Sequence, residues 1–399
     1  MKKYPYVIVG AGLAGGSAVN GIRSLEPDAP ILMIGSEPDR PYNRPPLSKD
    51  LWTGKKQVEK IFVHEPDFYE SHSVDLRLNS VVTAVDREAK TVTLQGGEVF
   101  GYDKLLLATG GLPRWPDIPG SDLEGISYYR YLHDYQWLRP QATEGKTAIV
   151  IGGGFIGCEL TAALAMNGVR VTWVFPEEYP SARLFPRDLG QALQAMYADK
   201  GVTIHAGDVA TAFERQGEQF IVRTRNGQSL SSDLLVVGIG IAPDVALGQQ
   251  AGLKIDNGYV VNQFLQTSDP SIFAAGDNAE FNYSALGMRM RVEHWDNAKA
   301  QGKMAGQNMV GAKEPYDYMP YFFSDLFEFG YEAVGLTDTR LTIVEDWQEE
   351  FKTGVIYYME NNRVRGAMMC NVWDKVPQAR ELIKKGEKYT NGEIKGQIK

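Results

Sequence analysis

Five times along the chain a short run of apolar residues stops abruptly at glycine or alanine. The runs are Val7-Ile8-Val9 before Gly10, Leu105-Leu106-Leu107 before Ala108-Thr109-Gly110, Ala148-Ile149-Val150-Ile151 before Gly152, Leu234-Leu235-Val236-Val237 before Gly238, and Ile272-Phe273-Ala274-Ala275 before Gly276-Asp277. Short, uniformly apolar runs read as buried strands, and a glycine at the end marks a close approach of backbone or ligand. Two of the runs open a longer pattern. Gly10 leads into a helix and then the strand Ile31-Leu32-Met33-Ile34, and Gly152 leads into a helix from Glu159 to Met166 and a strand from Val169 to Phe175. Both read as strand–helix–strand units.

The intervening pattern is less regular. Apolar alternation at Val81, Val85, Val92 and Leu94 predicts strands over 76–94 with a hairpin at Gly96-Gly97, and 201–230 predicts a strand pair turning near Asn226-Gly227. Pro41, Pro45 and Pro46 predict a rigid, non-helical connection over 39–49, and Pro113, Pro116, Pro119 and Gly120 predict a linker. A helix from about Asp296 to Met309 would close the first domain, making it discontinuous. From Tyr316 the composition turns aromatic, with paired strands around Asn361-Asn362 and a last helix from about Lys375 to Lys385. Those aromatics read as core. The expected organisation is α/β: one dinucleotide-binding domain over 1–120 and 245–312, a second inserted over 121–244, and a smaller C-terminal α+β domain over 313–399.

Composition narrows this further. The chain has 399 residues, 43% of them hydrophobic, and needs no covalent staples. Cys158 and Cys370 form no C-x-x-C pair, which argues for a reducing compartment and against thiol redox chemistry, and five scattered histidines argue against a metal site. A net charge of −9 argues against nucleic acid as a partner. The apolar runs are too short for a membrane span, and Met1 to Pro5 leaves no room for a signal peptide. A cytoplasmic protein is the expectation. From Arg380 onward, six basic residues against three acidic ones read as a solvated, frayed tail.

The glycines carry the chemistry. Gly10, Gly12 and Gly15 keep the G-x-G-x-x-G spacing within Gly10-Ala11-Gly12-Leu13-Ala14-Gly15, and Gly152, Gly154 and Gly157 repeat it. The first glycine permits the turn, the second lets a pyrophosphate approach the backbone, and the third lets helix and strand pack closely. The helix N-terminus then offers free N–H groups to the phosphates. Glu37 lies 22 residues past Gly15 and Glu177 lies 20 past Gly157, each placed to take a ribose diol. Two complete fingerprints predict two dinucleotides. Arg44 and Lys49 add cations able to favour a reduced flavin. Asp277 reads as an acceptor for a ribityl chain or as a plain helix N-cap.

Pro41-Tyr42-x-Arg44-Pro45-Pro46-Leu47-Ser48-Lys49, Ala108-Thr109-Gly110, the Gly152–Glu159 loop, Ala275-Gly276-Asp277 and Val292-Glu293-His294 together resemble the ferredoxin-reductase-like branch of two-dinucleotide-binding flavoproteins. Lys49-Asp50-Leu51-Trp52, Phe175-Pro176-Glu177-Glu178 and Asn371-Val372-Trp373 are similar to its apoptosis-inducing-factor-like members. The resemblance implies a glutathione-reductase-like pair of Rossmann-like domains, the second inserted in the first. It implies FAD contacts from the first glycine loop, Glu37, Arg44, Lys49, Val82, Thr109, Gly110, Arg130, Asp277, Glu293, His294 and Trp295. For the nicotinamide nucleotide it implies Gly152, Gly154, Phe155, Ile156, Gly157, Glu159, Glu177, Arg183 and Gly240, with Phe323 near the flavin ring. The catalytic candidates are Lys49, Phe155, Glu159 and His294. No long insertion separates Val344 from Val355, unlike the mitochondrial members.

The implied activity is an FAD-dependent oxidoreductase that takes hydride from NADH, in preference to NADPH because Glu177 repels a 2′-phosphate, and passes electrons to a ferredoxin-type carrier. The alternative is a slow NADH oxidase that keeps a long-lived reduced flavin–NAD charge-transfer complex. It would act as a redox-sensing, partner-binding protein, with homodimer formation as one route. A disulfide reductase would need a cysteine pair near the flavin, and 39–49 contains none.

Overall fold

The strand Lys2–Val9 lies inside a seven-stranded sheet in a computed structural model that describes residues 1–399. The chain divides into two units of three segments each. The first comprises Met1–Asn43, Val58–Leu112 and Ala242–Pro320, and the second Arg44–Gln57, Pro113–Ile241 and Tyr321–Lys399.

In the first unit Lys2–Val9 is flanked by Ile31–Ile34 and Val99–Leu107, both parallel to it, and Ile272–Ala274 joins parallel to Val99–Leu107. These strands are almost wholly buried, which is why their sequences are apolar runs without alternation. Val9 pairs with both Ile34 and Leu107, and Leu107 pairs with Ala274, so four strands end side by side. The turns after them therefore share one edge of the sheet, the crevice outside the carboxyl ends where open α/β sheets bind ligands. The hairpin strands Val82–Asp86 and Thr91–Leu94 extend the sheet antiparallel. Helices Leu13–Arg23 and Trp295–Val310 touch backbone to backbone. A Cβ on Gly302 would stand 2.1 Å from the Ala14 carbonyl oxygen, and one on Gly306 2.2 Å from that of Ala18.

The second unit repeats the arrangement. Thr147–Ile151 pairs in parallel with Arg170–Phe175 and Leu234–Val237, and Ile151 faces both Val174 and Val237. Trp173, Phe175 and Tyr197 are buried beside this sheet. Region 201–230 holds more than the expected strand pair. Thr203–Ala206 joins the parallel sheet, while Ala210–Gln216, Gln219–Thr224 and Ser229–Ser232 form a separate antiparallel sheet of three. Only the second hairpin carries the Asn-Gly signature. The remaining sheet, Tyr321–Leu326, Phe329–Gly335, Thr342–Glu349, Thr353–Glu360 and Arg363–Cys370, is antiparallel and is backed by helix Val376–Lys385.

Two further expectations are corrected. The proline segment is not purely non-helical: Pro45–Ser48 forms a 3₁₀ turn, since proline suits its first positions. The basic tail is not frayed. Ile394 and Ile398 are buried, the Tyr357 hydroxyl accepts from the Ile398 N–H at 3.1 Å, and Asp346 accepts from the Gly396 N–H at 2.7 Å. Two isoleucines hold down a segment whose lysines suggest solvent.

Candidate active site

Both glycine loops have the shape a pyrophosphate needs. Gly10 and Gly152 adopt φ of +115° and +112°, accessible at little cost only to glycine. A Cβ on Gly15 would stand 2.1 Å from the Gly10 oxygen, and one on Gly157 1.9 Å from that of Gly152. Around Gly12 and Gly154 the reverse holds: beyond the adjoining residues nothing lies within 4 Å of a Cβ position, so open space faces the start of each helix. Trp173 braces the second loop by donating its indole N–H to the Gly152 carbonyl at 2.8 Å. The helix there starts at Phe155, earlier than the periodicity predicts, and places Phe155 and Glu159 one turn apart on one face.

Around the first loop the structure gathers most of the expected residues at one sheet edge. Glu37 accepts the Tyr42 hydroxyl at 2.5 Å. Thr109 donates to the Asp244 carbonyl at 2.6 Å and accepts from the Asn278 amide at 2.9 Å, with Gly110 beside it at φ +71°. Asp277 is not a helix cap: a turn leads from it straight into strand Ala279–Tyr283. The Asp277 carbonyl and the Glu293 carboxylate both accept from Arg291, and the Trp295 indole donates to Asn43 at 2.7 Å. Val82 is buried at the start of its strand. His294 caps helix Trp295–Val310, and the packing around its ring pushes the imidazolium down to about 4 against the pull of Asp277. His294 is therefore neutral at pH 7. Two buried polar atoms near Asp277, Asn278 Oδ1 and Gln301 Nε2, have no protein partner, as expected where a polar ligand completes the site.

The second unit holds the densest chemistry. Glu159, 5% exposed, receives Lys49 Nζ at 2.5 Å on Oε1, the Ser48 hydroxyl at 2.5 Å on Oε2 and the Ser324 hydroxyl at 2.6 Å on Oε1. A buried carboxylate persists only with such partners. The 3₁₀ turn sets consecutive residues Ser48 and Lys49 on one carboxylate, and the turn is pinned at the Leu47 carbonyl by Trp52 and Tyr129. Lys49 Nζ also lies 5.4 Å from the centre of the Phe323 ring. Phe155 stands 40% exposed, edge-on to Phe322 with ring centres 5.6 Å apart. Ile156 is half-buried behind it. Arg44 donates to the Arg130 carbonyl at 2.9 Å and lies 5.1 Å from the centre of the Tyr131 ring. Glu177 is exposed, its Oε2 3.1 Å from a Cβ position on Gly153, while Gly240 takes φ +94°. Arg183 pairs with Asp338 at 2.9 Å.

Sequence reasoning misses Ser48, Ser324, Asn278, Gln301 and Asp338. Ser324 carries a faint signal as the polar position between Phe322 and Leu326 on a strand face that is otherwise apolar. The two cysteines hold no redox pair. Burial pushes the Cys158 thiol up to about 12 and raises Cys370 as well.

A family profile described as pyridine nucleotide-disulphide oxidoreductase matches residues 4–302, and one described as apoptosis-inducing factor, mitochondrion-associated, C-term matches 305–348 and 342–385. Among curated proteins the chain is 34% identical over 388 residues to the anthranilate 1,2-dioxygenase system ferredoxin–NAD(+) reductase component of Burkholderia cepacia, covering 97% of this chain and 95% of that one. It is also 34% identical over 423 residues to apoptosis-inducing factor 1, mitochondrial, of Dictyostelium discoideum, covering 96% and 79%. Among solved structures it matches that of the covalent putidaredoxin reductase–putidaredoxin complex with a TM-score of 0.91 and 31% identity, covering 96% and 93%.

Proposed function

We propose how this chain, which belongs to the pyridine nucleotide-disulphide oxidoreductase family and is an FAD-dependent NADH oxidoreductase, divides the work between its two glycine loops. FAD takes the first loop, with Glu37 on its ribose and Thr109, Asp277, Glu293, neutral His294 and Trp295 around it. NADH takes the second loop, with Glu177 on its ribose and Phe155 and Glu159 beside the nicotinamide. We divide the chain accordingly into FAD-binding 1–120 and 245–312, NAD-binding 121–244 and C-terminal 313–399 regions. The observation that carries the reading is the Glu159 cluster, a buried ion pair one turn into the helix of the second loop and of no other.

Bound FAD supplies a hydride acceptor that releases electrons one at a time. The protein's share is orientation and electrostatics. Phe155 offers an exposed ring for a nicotinamide to pack against. Glu159 fixes the Lys49 ammonium, a cation of the kind that would favour a reduced, anionic flavin ring. The hydroxyls of Ser48 and Ser324 hold the Glu159 side chain in place. With Cys158 and Cys370 buried, no dithiol takes part.

We take the acceptor to be a ferredoxin-like carrier. Support comes from the near full-length likeness to a ferredoxin–NAD(+) reductase component and to a reductase solved in covalent complex with putidaredoxin. Glu177 favours NADH over NADPH. No helix is long and apolar enough to cross a membrane, and we place the protein in the cytoplasm. Anaerobic stopped-flow mixing with NADH, followed by ferredoxin or by air, tests the reading. Rapid ferredoxin reduction is expected. A long-wavelength absorption band that persists in air, with no ferredoxin or cytochrome reduction, would replace it with the sensing alternative, for which a homodimer should then be sought by light scattering.

A further inference from the structure

The loop after Glu177 is held from two sides. Ser181, at φ +51°, gives its N–H to the Gly153 carbonyl at 2.8 Å and its hydroxyl to the same oxygen at 3.2 Å. From the other side, Thr339 donates its N–H to the Arg183 carbonyl at 2.9 Å and its hydroxyl to that of Ala182 at 2.8 Å, and the Tyr358 hydroxyl donates to Leu184 at 2.6 Å. Residues 338–340 and Tyr358 come from the C-terminal sheet and the turn beside it, so that part of the chain fixes the backbone of the nucleotide loop.

The charges follow the same connection. The Arg183 side chain is 76% exposed, yet one of its nitrogens is held at 2.9 Å by Asp338, whose side chain is 9% exposed. Arg340, 75% exposed, shares that carboxylate through Nε at 2.9 Å and Nη2 at 2.6 Å. Hydrogen bonds from Arg340, and beyond them from Arg183, hold the Asp338 carboxyl well below the usual carboxylate range, so it is charged at any working pH. Two guanidiniums and one carboxylate leave one positive charge in surplus. Arg183 stands on the loop that carries Glu177 six residues earlier, whereas Asp338 and Arg340 come from the C-terminal segment.

We infer that Asp338 is a positioning residue for coenzyme choice: it draws the Arg183 guanidinium onto the C-terminal sheet, leaving Glu177 to meet the 2′ position of the adenosine ribose. A phosphate monoester at that position seeks a guanidinium fork. With Asp338 present, one nitrogen of the fork nearest in the chain is held away. Without it, Arg183 and Arg340 are both released at an exposed surface. The preference for NADH is then set jointly by the acid on the nucleotide loop and by a carboxylate more than 150 residues away that restrains the opposing cation. This inference rests on the assignment of NADH to the second loop.

The test uses the flavin-loaded holoenzyme and its Asp338→Asn variant, comparing kcat/KM for NADPH and NADH and the calorimetric affinities for 2′,5′-ADP and 5′-ADP. The NADPH:NADH ratio should rise about tenfold, mainly through the KM for NADPH, and 2′,5′-ADP should bind about tenfold tighter, the scale of one recovered charge-assisted hydrogen bond. Asp338→Asn combined with Arg183→Ala should return the ratio to its original value. A ratio within twofold of wild type in Asp338→Asn, or a rise that survives in the double variant, overturns the inference. Arg183→Ala alone keeps it falsifiable should Asp338→Asn fail to fold: a fivefold or greater fall in NADPH use would show that Arg183 already serves the phosphate. Wild-type protein that binds neither ADP probe and accepts no hydride from NADH would instead overturn the assignment of the second loop, and the inference with it.

Discussion

Seven residues past its first glycine, one loop carries Ser17 and the other Glu159; three past it, one carries Leu13 and the other Phe155. The backbones beneath are alike, with first-glycine φ values of +115° and +112° and the same collision awaiting a Cβ on the third glycine. The difference lies in what each helix meets. Leu13–Arg23 presses Ala14 and Ala18 against the glycines of Trp295–Val310, and its Ser17 is buried. Phe155–Met166 leaves its first residue 40% exposed and buries its fifth against Lys49, Ser48 and Ser324. The two loops share a backbone shape, and only the second sets a buried, ion-paired carboxylate near the start of its helix. The fingerprint that announces both is silent on that distinction, which resides in the first turn of each helix.

The comparison breaks most sharply at the third glycines. Gly15→Ala and Gly157→Ala each drive a Cβ into a backbone oxygen and displace their own loop. Gly15→Ala should purify with less than about a tenth of the wild-type flavin content, whereas Gly157→Ala should keep its flavin and accept hydride from NADH at least ~100-fold more slowly, the cost of misplacing a reactant by an ångström. The flavin absorbance of purified protein and anaerobic stopped-flow rates read the two effects, and the opposite pattern would exchange the loops' roles. Giving the second helix the residue of the first, Glu159→Ser, leaves Lys49 buried without its counter-ion. Such a loss costs about 3–5 kcal/mol, so thermal denaturation should shift down on the order of 10 °C; a shift under 2 °C would mean the pair is not structural. The mildest exchange is Phe155→Leu. With the ring 40% exposed, stability should stay within about 0.5 kcal/mol, while the apparent Kd for NADH from flavin reduction rises severalfold. An unchanged Kd would remove Phe155 from the nicotinamide site.

Much of the framework is legible because fully buried parallel strands leave an unmistakable record, a run such as Ile31–Ile34 with no polar residue, and because the turns after them need glycine for steric reasons. Elements with mixed burial read poorly. Thr203–Ala206 is too short and too exposed to be told from the hairpin strands that follow it. The docked tail was hidden because Ile394 and Ile398 are only two apolar positions among lysines, and their partners Tyr357 and Asp346 lie far back in the chain. The Glu159 cluster shows the same limit. Its donors stand 110, 111 and 165 residues away, and no local spacing relates them to it. Gly302 and Gly306, four apart like Ala14 and Ala18, were a readable sign of helix–helix contact that periodicity of apolar residues alone passes over.

The interleaving of the two units has a consequence for the order in which the protein is made. The first unit needs residues from Ala242–Pro320 to be whole. When the ribosome has passed Leu112, strand Val99–Leu107 still lacks Ile272–Ala274, and helix Leu13–Arg23 still lacks the glycine face of Trp295–Val310. At about 5–20 residues per second, the roughly two hundred residues still to come keep that strand edge and that small-residue stripe uncovered for on the order of 10–40 s. An open, apolar strand edge held that long is a template for pairing with another nascent chain. Only the arrival of Ile272–Ala274 and Trp295–Val310 closes that edge and that stripe, so slower synthesis of the intervening segment should lower how much soluble protein a cell recovers.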